Sequence, residues 1–209
     1  KIISKKNKSQ LGVMMFDPHP REYFTKEKQF LLSSLETKSK ILESLGVNFI
    51  IILKFNKTLA SMSALNFCDK ILLNSCKMQH VFIGNNFRFG KDRTGNLKYL
   101  EKFGKKNNFK VSGSELYRVS GSNKIFSSSN IRDFIKKGKI KEANNFLGHD
   151  WSVSGTVITG DKRGRLIGFP TANISTEKYI YPKFGVYAVK VTFISGQHKG
   201  KVKNGIANV

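Results

Sequence analysis

Over the first 148 residues, short apolar runs alternate with segments whose apolar residues recur at helical spacing. The apolar runs have the length of buried strands and lie at 11–16, 47–55, 80–84 and within 109–119. The segments with helical spacing lie at 33–46, 63–76, 96–108, 129–137 and 139–147. Serines at the start of the first two segments and Gly46 at the end of the first are typical helix boundaries. Strand and helix in alternation predict an α/β fold with a parallel sheet covered by helices.

After Gly148 the pattern changes to strands and turns without helical spacing. The runs 151–160, 183–194 and 201–209 are strand-like and predict a small antiparallel β-barrel. We therefore expect two domains, 1–148 and 149–209. The chain does not begin with Met, and its last residues, KNGIANV, stop within a predicted strand. We expect both domains to be incomplete, the first at its N-terminus and the second at its C-terminus.

The composition indicates a globular, water-soluble protein. The 209 residues are 39% hydrophobic and 24% charged. No apolar run reaches the roughly 18 residues of a membrane helix, and the first ten residues lack the apolar core of a signal peptide. Cys68 and Cys76 lie eight positions apart in one predicted helix, too far apart for a disulfide with each other. These features predict a cytoplasmic protein that does not bind membranes.

The formal net charge of +23 makes a nucleic-acid partner worth considering. Only seven of the 37 basic residues are arginine, and the lysines are spread along the chain with no dominant block. Arginine is the side chain suited to bidentate contacts with phosphates and bases, so a dispersed lysine surface favours solvation over recognition. We expect no nucleic acid to bind, and a basic nucleic-acid-binding protein is kept as an alternative hypothesis.

The motif FDPHP, residues 16–20, directly follows the first predicted strand. Ligands of open α/β sheets bind beyond the carboxyl ends of the strands. Each proline restricts the residue before it, so Asp17 and His19 are predicted to be extended and unable to start a helix early. Such a strand exit can present an aromatic ring and polar groups to a planar ligand. A stiff turn with a surface histidine is the alternative interpretation.

Two further motifs combine candidate ligand-binding residues with a plausible structural role. In GNNFRFGKDRTGN, 84–96, two phenylalanines at i and i+2 can point the same way beside Arg88 and Arg93, which suits a flavin ring or a phosphate. Core packing of both rings is the slightly favoured alternative. In FSSSNIR, 126–132, serines at a helix start cap its N–H groups and can receive phosphate, with Arg132 one turn on. A plain capped helix is the alternative there.

The segment GDKRGRLIGFPTAN, 160–173, contains three glycines and three basic side chains, followed by PTAN. In this order, the four motifs resemble the bacterial bifunctional riboflavin kinase/FMN adenylyltransferase (FAD synthetase) family over essentially the whole chain. The resemblance implies a Rossmann-like nucleotidyltransferase domain with a parallel sheet, followed by a partial antiparallel β-barrel of flavokinase type. It implies that riboflavin is phosphorylated to FMN, and FMN is adenylylated to FAD with release of pyrophosphate. ATP, riboflavin and FMN would be the substrates and Mg²⁺ the cofactor.

The resemblance also implies site residues. Flavin-binding roles fall to Phe16, Pro18, His19, Pro20, Asn86, Phe87 and Phe89. ATP-binding roles fall to Ser128, Ser129, Arg132, Gly160, Lys162, Gly164, Arg165, Gly168, Thr171 and Asn173. Arg132 and Asn173 would be catalytic, and Thr171 and Asn173 would hold the metal. Phe126 and Ser129 depart from the family's usual isoleucine and threonine, although Ser129 keeps the hydroxyl.

Two elements that the family uses for catalysis are absent from the sequence. A histidine motif of the form G-x-F-D-G-x-H-x-G-H is expected upstream of Lys1, and a glutamate that activates the riboflavin hydroxyl is expected beyond Val209. The chain itself is therefore expected to lack a key residue for each reaction. A catalytically inactive flavin- or nucleotide-binding remnant is the second alternative. Beyond its small-molecule substrates, the only partner we expect is a second copy in a weak homo-oligomer.

Overall fold

A computed structural model of the protein describes residues 1–25, 29–115, 117, 125–160, 168, 171–176 and 178–209. The chain divides into two compact units. Unit 1 comprises Lys1–Glu27 and Ser39–Phe126, and unit 2 comprises Lys28–Lys38 and Ser127–Val209. Each unit therefore contains two separate stretches of the chain.

The elements follow the predicted alternation. The helices are α1 (Ile2–Lys6), α2 (Pro20–Thr25), α3 (Leu35–Ser44), α4 (Lys57–Ala60), α5 (Ala64–Asn66), α6 (Leu97–Lys106), α7 (Ser128–Lys136) and α8 (Ile140–Leu147). Helix α5 continues as a π-helical stretch, Phe67–Ser75, and Lys91–Arg93 form a 3-10 turn. The strands are β1 (Gly12–Asp17), β2 (Phe49–Lys54), β3 (His80–Gly84), β4 (Lys110–Ser114), β5 (Val157–Ile158), β6 (Asn173–Ile174), β7 (Val186–Thr192) and β8 (Val202–Asn208).

Unit 1 is built on two parallel strand pairs. Strand β1 pairs with β2, with Phe16 opposite Leu53, and β3 pairs with β4, with His80 opposite Lys110. A parallel partner requires a crossover connection, which contains α3 in the first pair and α6 in the second. The parallel α/β arrangement predicted from the alternation is confirmed.

The core of unit 1 lies between these strands and the helices that cover them. Met14 and Phe16 of β1, and Val81 and Ile83 of β3, pack against it, because alternate residues of a strand face the same side. The buried residues of this core are Ala64, Phe67, Cys68, Leu72, Phe89, Leu100 and Phe109.

Local capping explains where the helices begin and end. The hydroxyl of Ser63 accepts a hydrogen bond from the backbone N–H of Asn66 at 3.1 Å, and the side chain of Asn96 caps α6 in the same way. Gly46 follows α3 with a φ of +81°, a conformation that glycine adopts without strain. The helices predicted at 33–46, 63–76 and 96–108 are confirmed. The π-helical geometry of Phe67–Ser75 was not expected.

Helix α2 was missed by the sequence analysis. It begins at Pro20, the last residue of FDPHP, whereas we expected a rigid strand exit or a stiff turn there. A proline is well suited to the first position of a helix, since its missing N–H has no intrahelical acceptor and its φ is already helical. The two prolines therefore keep the residues before them out of the helix, and the second proline, Pro20, is then its first residue. Pro18, just before, is half-buried.

Unit 2 packs α7 and α8 against a segment from the first part of the chain. Its buried core residues are Ile131, Phe134, Ile135, Ala143 and Ile180, with Leu32 and Trp151 partly buried beside them. Within residues 29–34, here called segment 29–34, Phe30 and Leu31 pair with residues 178–180 through backbone hydrogen bonds. The pairing between distant stretches of the chain was not predicted.

The C-terminal part of unit 2 is antiparallel. Strand β5 pairs with β6, and β7 pairs with β8 over seven residue pairs, from Val186 opposite Asn208 to Thr192 opposite Val202. The strands predicted at 183–194 and 201–209 are confirmed, whereas of 151–160 only Val157–Ile158 form a strand. Among the described residues every sheet has two strands, and none closes into a barrel.

The compact units group the helices differently from the predicted domains. Helices α7 and α8, which precede residue 148, pack with Ile180 in unit 2. The two compact units are defined by contacts and not by catalytic activity, so the predicted boundary between the two catalytic domains near residue 148 stays a prediction. Within the ranges that the structure describes, no helix is both long and apolar enough to cross a membrane.

Candidate functional site

The FDPHP motif lies at the end of β1 and leads directly into α2. Phe16 is half-buried and packs edge to face on Phe55, with ring centroids 5.7 Å apart. The Nδ1 atom of His19 accepts a hydrogen bond from the backbone N–H of Arg21 at 3.1 Å, and the His19 carbonyl accepts one from Tyr23 at 3.0 Å. His19 therefore caps the first turn of α2 with its ring. Its predicted contact with flavin stays a prediction.

An aromatic cluster that the sequence analysis missed surrounds this strand end. Phe55 follows β2, and its backbone N–H donates to the carbonyl of Asp17 at 2.9 Å. The Tyr23 ring lies 5.3 Å from Phe55, and the Phe24 ring 5.7 Å from it. Phe24 is 66% exposed. The carboxyl ends of β1 and β2 thus carry an exposed aromatic surface. Predicting α2 directly after β1 would have placed Tyr23 and Phe24 close to Phe16 and so indicated this surface.

Phe87 and Phe89 point the same way after β3, as their spacing predicted. Their rings stack with centroids 5.8 Å apart and an interplanar angle of 21°. Phe89 is 6% exposed, lies 5.4 Å from Phe67 in the core of unit 1, and forms an isolated bridge with Gly95. Core packing accounts for Phe89, which was the alternative interpretation of this motif. A flavin contact by either ring stays a prediction.

The polar residues of the same loop lie at the surface. Asn86 is exposed, and its Oδ1 atom lies 3.1 Å from where a Cβ at Gly84 would stand. Arg88 is exposed and donates from Nη1 to the carbonyl of Phe87 at 2.9 Å. Arg93 is also exposed. Asn86 and the two arginines are therefore accessible to a ligand at the carboxyl end of β3.

Of the three serines at the start of α7, one caps the helix and two are exposed to solvent. The hydroxyl of Ser127 accepts a hydrogen bond from the backbone N–H of Asn130 at 3.2 Å and caps α7. Ser128 and Ser129 occupy the first turn of α7 and are exposed. The cap is thus made by the serine to which the resemblance assigned no ligand. Ser128 and Ser129, which it assigned to ATP, face solvent at the helix start.

Arg132 is held by a residue far away in the sequence. Its Nε atom donates to the carbonyl of Phe30 at 3.0 Å, and its guanidinium carbon lies 3.6 Å from the centroid of the Phe30 ring. Phe30 is 4% exposed and belongs to unit 2, as Arg132 does. The side chain of Arg132 is therefore fixed both at Nε and on the face of its guanidinium.

The structure brings Gly160 and Asn173 together in the glycine-rich segment. Asn173 opens β6, opposite Ile158 of β5, and both Asn173 and its neighbour Thr171 are exposed. The side-chain nitrogen of Asn173 occupies the space where a Cβ at Gly160 would lie. The absence of a side chain at Gly160 therefore makes room for the Asn173 amide.

The rest of this segment is only partly described. Gly168 has a φ of +81° and is exposed, with open space around it. The predicted ATP-binding residues Lys162, Gly164 and Arg165 lie outside the described residues.

The predicted metal ligands have suitable donor atoms. Thr171 and Asn173 offer a hydroxyl and an amide oxygen, hard neutral donors of the kind that Mg²⁺ accepts beside nucleotide phosphates. The residues present therefore fit that ion. Elsewhere in the part of the chain that the structure describes, no group of three or more His, Cys, Asp or Glu side chains is arranged to hold a metal ion.

The groups with shifted pKa values lie outside these motifs. Burial raises the pKa of the Cys68 thiol to about 11 and also raises that of Cys76, so both are poor nucleophiles at neutral pH. Both cysteines are free, as expected. His80, at the amino end of β3, has a lowered pKa because of burial and, secondarily, the positive charge of Lys110.

Comparisons with known proteins agree with the order of the motifs. The sequence profile of the FAD synthetase family matches residues 1–130, and that of the riboflavin kinase family matches residues 147–209. The two matched ranges leave residues 131–146 between them.

Relatives with curated descriptions match almost the whole chain. The bifunctional riboflavin kinase/FMN adenylyltransferase of Buchnera aphidicola subsp. Schizaphis graminum is 40% identical over 91% of this chain and 61% of its own length. The protein of the same description from Bacillus subtilis is 35% identical over 100% of this chain and 64% of its own length. The protein of the same description from Escherichia coli strain K12 is 32% identical over 98% of this chain and 64% of its own length. The chain thus spans less than two thirds of the length of these relatives.

A solved structure shares the fold. The crystal structure described as that of a macrolide-efflux protein from Streptococcus pneumoniae matches with a TM-score of 0.77, covering 99% of this chain and 66% of that chain. The two sequences are 24% identical, so the likeness is one of fold alone.

Proposed function

This chain belongs to the FAD synthetase family and carries a riboflavin kinase segment after it, and from this we propose that the protein makes FMN and FAD. Riboflavin is phosphorylated by ATP to FMN, and FMN is adenylylated by a second ATP to FAD with release of pyrophosphate. The observation that carries the proposal is the pair of family matches, in order along one chain, on segments that contain three of the four motifs and the first five residues of the serine motif. The resemblance stated from the motifs is thereby confirmed at the level of the family.

The glycine-rich segment is the proposed site of riboflavin phosphorylation. Thr171 and Asn173 would hold Mg²⁺, which when bound would neutralise charge on the phosphates of ATP. Gly160 leaves the space in which the Asn173 amide lies, so a side chain at position 160 would displace that amide. Gly164 and Gly168 would let the backbone approach the phosphates, and Lys162 and Arg165 would add positive charge.

The start of α7 is the proposed ATP site for the adenylylation of FMN. Ser128 and Ser129 offer hydroxyls beside the N-terminal N–H groups of a nine-residue helix, an arrangement that favours phosphate. Arg132 would stabilise charge that develops on the phosphates during transfer. Because its Nε donates to Phe30, its phosphate contacts would come from the terminal Nη groups.

The strand ends of unit 1 are the proposed flavin site. The exposed ring of Phe24, backed by Tyr23 and Phe55, offers a planar apolar surface for the flavin ring. The further proposed contacts, carried over from the family resemblance, are Phe16, Pro18, His19, Pro20, Asn86, Phe87 and Phe89. We also propose that the protein works in the cytoplasm on these small molecules and without nucleic acid.

A time course on the full-length protein tests the proposal. Riboflavin, ATP and Mg²⁺ are supplied, and the flavins are separated by chromatography. We expect FMN to appear first and FAD after it. FMN without FAD would leave only the kinase activity. Flavin binding without turnover would favour the inactive-remnant hypothesis, whereas salt-sensitive RNA binding with no new flavin would favour the nucleic-acid hypothesis.

A further inference from the structure

Phe30 is a buried aromatic residue whose ring contacts a charged side chain. It is 4% exposed and is one of the buried apolar residues of the chain. An aromatic ring of this size removes a large apolar area from water when it is buried. The guanidinium carbon of Arg132 lies 3.6 Å from the centroid of the Phe30 ring, so a cation lies over the face of this buried ring.

The contact between Phe30 and Arg132 has two parts that reinforce each other. The Phe30 carbonyl accepts a hydrogen bond from Arg132 Nε at 3.0 Å, while the ring lies against the guanidinium face. The hydrogen bond fixes one edge of the guanidinium, and the ring limits rotation of its plane. Together they define the direction in which the terminal nitrogens of Arg132 point.

Segment 29–34 is itself anchored, so Phe30 can act as a fixed support. The backbone N–H groups of Phe30 and Leu31 donate to the carbonyl of Lys178 at 3.2 and 2.9 Å. Ile180 donates to the carbonyl of Leu31 at 3.0 Å. The indole N–H of Trp151 donates to the carbonyl of Leu32, also at 3.0 Å. The segment is thus held by hydrogen bonds at Phe30 itself and at the two residues that follow it, within unit 2.

We propose that Phe30 is a positioning residue for the adenylylation of FMN, holding the guanidinium of Arg132 in the orientation that meets the phosphates of ATP. The inference rests on the proposed function, and in particular on the role of Arg132 there. Phe30 takes no direct part in adenylyl transfer; it acts through Arg132. An aromatic side chain at position 30 is therefore a requirement of the adenylylation step and not of folding alone.

The test compares side chains at position 30 in the full-length protein. Phe30→Leu removes the ring and keeps an apolar side chain, Phe30→Met does the same with an unbranched and more adaptable side chain, and Phe30→Tyr keeps the ring. Ile180→Val is the matched control, since it removes one methyl group from the neighbouring core and leaves Phe30 intact. The rates of FMN adenylylation and of riboflavin phosphorylation are measured separately for each variant.

We expect Phe30→Leu and Phe30→Met to lower kcat for adenylylation about 2- to 30-fold, the range of a partly desolvated cation–π contact. The KM for FMN should stay unchanged, and Phe30→Tyr and Ile180→Val should match the wild type. Riboflavin phosphorylation should be unaffected in all four variants, which also shows that they fold. Combined with Arg132→Lys, Phe30→Leu should cause no further loss, because both changes remove the same contact.

Two results would overturn the inference while leaving the proposed function intact. One is a wild-type adenylylation rate in both Phe30→Leu and Phe30→Met. The other is a loss that adds in full to that of Arg132→Lys, since Phe30 would then act by another route. If the wild-type protein forms FMN but no FAD, or no flavin nucleotide at all, the proposed adenylylation fails and this inference fails with it.

Discussion

The serine motif at the start of α7 and the glycine-rich segment that ends in PTAN are both candidate ATP sites, but they are held in place differently. Helix α7 buries Ile131, Phe134 and Ile135, and its Arg132 contacts Phe30, 102 positions earlier in the chain. Asn173 is exposed on a two-residue strand and fits into the space left by Gly160, within the same motif. One site therefore depends on distant packing and the other on local sequence. The first should be sensitive to core substitutions and the second to backbone ones.

The largest expected effect concerns the packing of α7. Ile135 is fully buried, and Ile135→Ala should lower the free energy of unfolding by about 2–5 kcal/mol, because it leaves a cavity in the core. The matched change Ile174→Ala, on β6, removes a side chain that is 42% exposed and should cost less than about 1 kcal/mol. Urea unfolding of the two variants measures the difference. Equal losses in the free energy of unfolding would contradict the claim that one site rests on a packed core and the other is exposed.

The next effect separates the two reactions at Arg132. Arg132→Lys keeps the positive charge but loses the planar group that Phe30 orients, so adenylylation of FMN should slow about 10²- to 10³-fold. Phosphorylation of riboflavin should be unchanged. Lys137→Ala is the control, since it breaks an exposed ion pair with Asp133 on the same helix and should affect neither rate. A wild-type adenylylation rate in Arg132→Lys would remove this arginine from the site.

Gly160 provides the corresponding test for the glycine-rich segment. A Cβ at this position would displace the amide of Asn173, so Gly160→Ala should slow riboflavin phosphorylation about 100-fold. Gly205→Ala serves as the control, because a Cβ there would meet only ordinary contacts at 3.7 Å. Steady-state rates starting from riboflavin, and separately from FMN, check which step is lost. If Gly160→Ala phosphorylates riboflavin at the normal rate, Asn173 does not depend on this fit.

The smallest expected effect lies outside both sites, at His80. Its pKa is below the ordinary value of 6.5 in the folded chain, since burial and then Lys110 oppose its positive charge. The unfolded chain therefore binds the proton more readily, and the free energy of unfolding should decrease as the pH falls below 6.5 towards the lower folded pKa. His80→Gln should flatten this pH dependence in urea unfolding, whereas His198→Gln, an exposed control, should not. An unchanged slope in His80→Gln would show that His80 does not titrate in this way.

How much the sequence could predict depended on whether the signal was local. Helix starts at Ser63 and Asn96, the stop at Gly46 and the alternation of strands and helices lie within a few residues of their effects, and these predictions were confirmed. Helix α2 was missed because its proline restriction was treated as a reason against a helix. The spacing of Phe87 and Phe89 predicted that their rings point in the same direction. It left open whether the rings pack in the core or contact a ligand.

The features that escaped prediction depend on distant residues. Nothing in residues 29–34 marks them as partners of residues 178–180, since no periodicity or cap signal links two stretches so far apart. The contact between Phe30 and Arg132 follows from that pairing and was therefore unpredictable too. For the candidate sites, the family motifs supplied the residues, while the structure supplied what holds Arg132 and Asn173.

The most direct test of this account is a side-by-side time course of FMN and FAD for the wild type, Arg132→Lys and Gly160→Ala in the full-length protein. Starting from riboflavin, Arg132→Lys should accumulate FMN with little FAD, and Gly160→Ala should form little of either. Starting from FMN, Gly160→Ala should form FAD at the wild-type rate. If either substitution slowed both steps equally, the claim that two differently supported sites carry the two reactions would be contradicted.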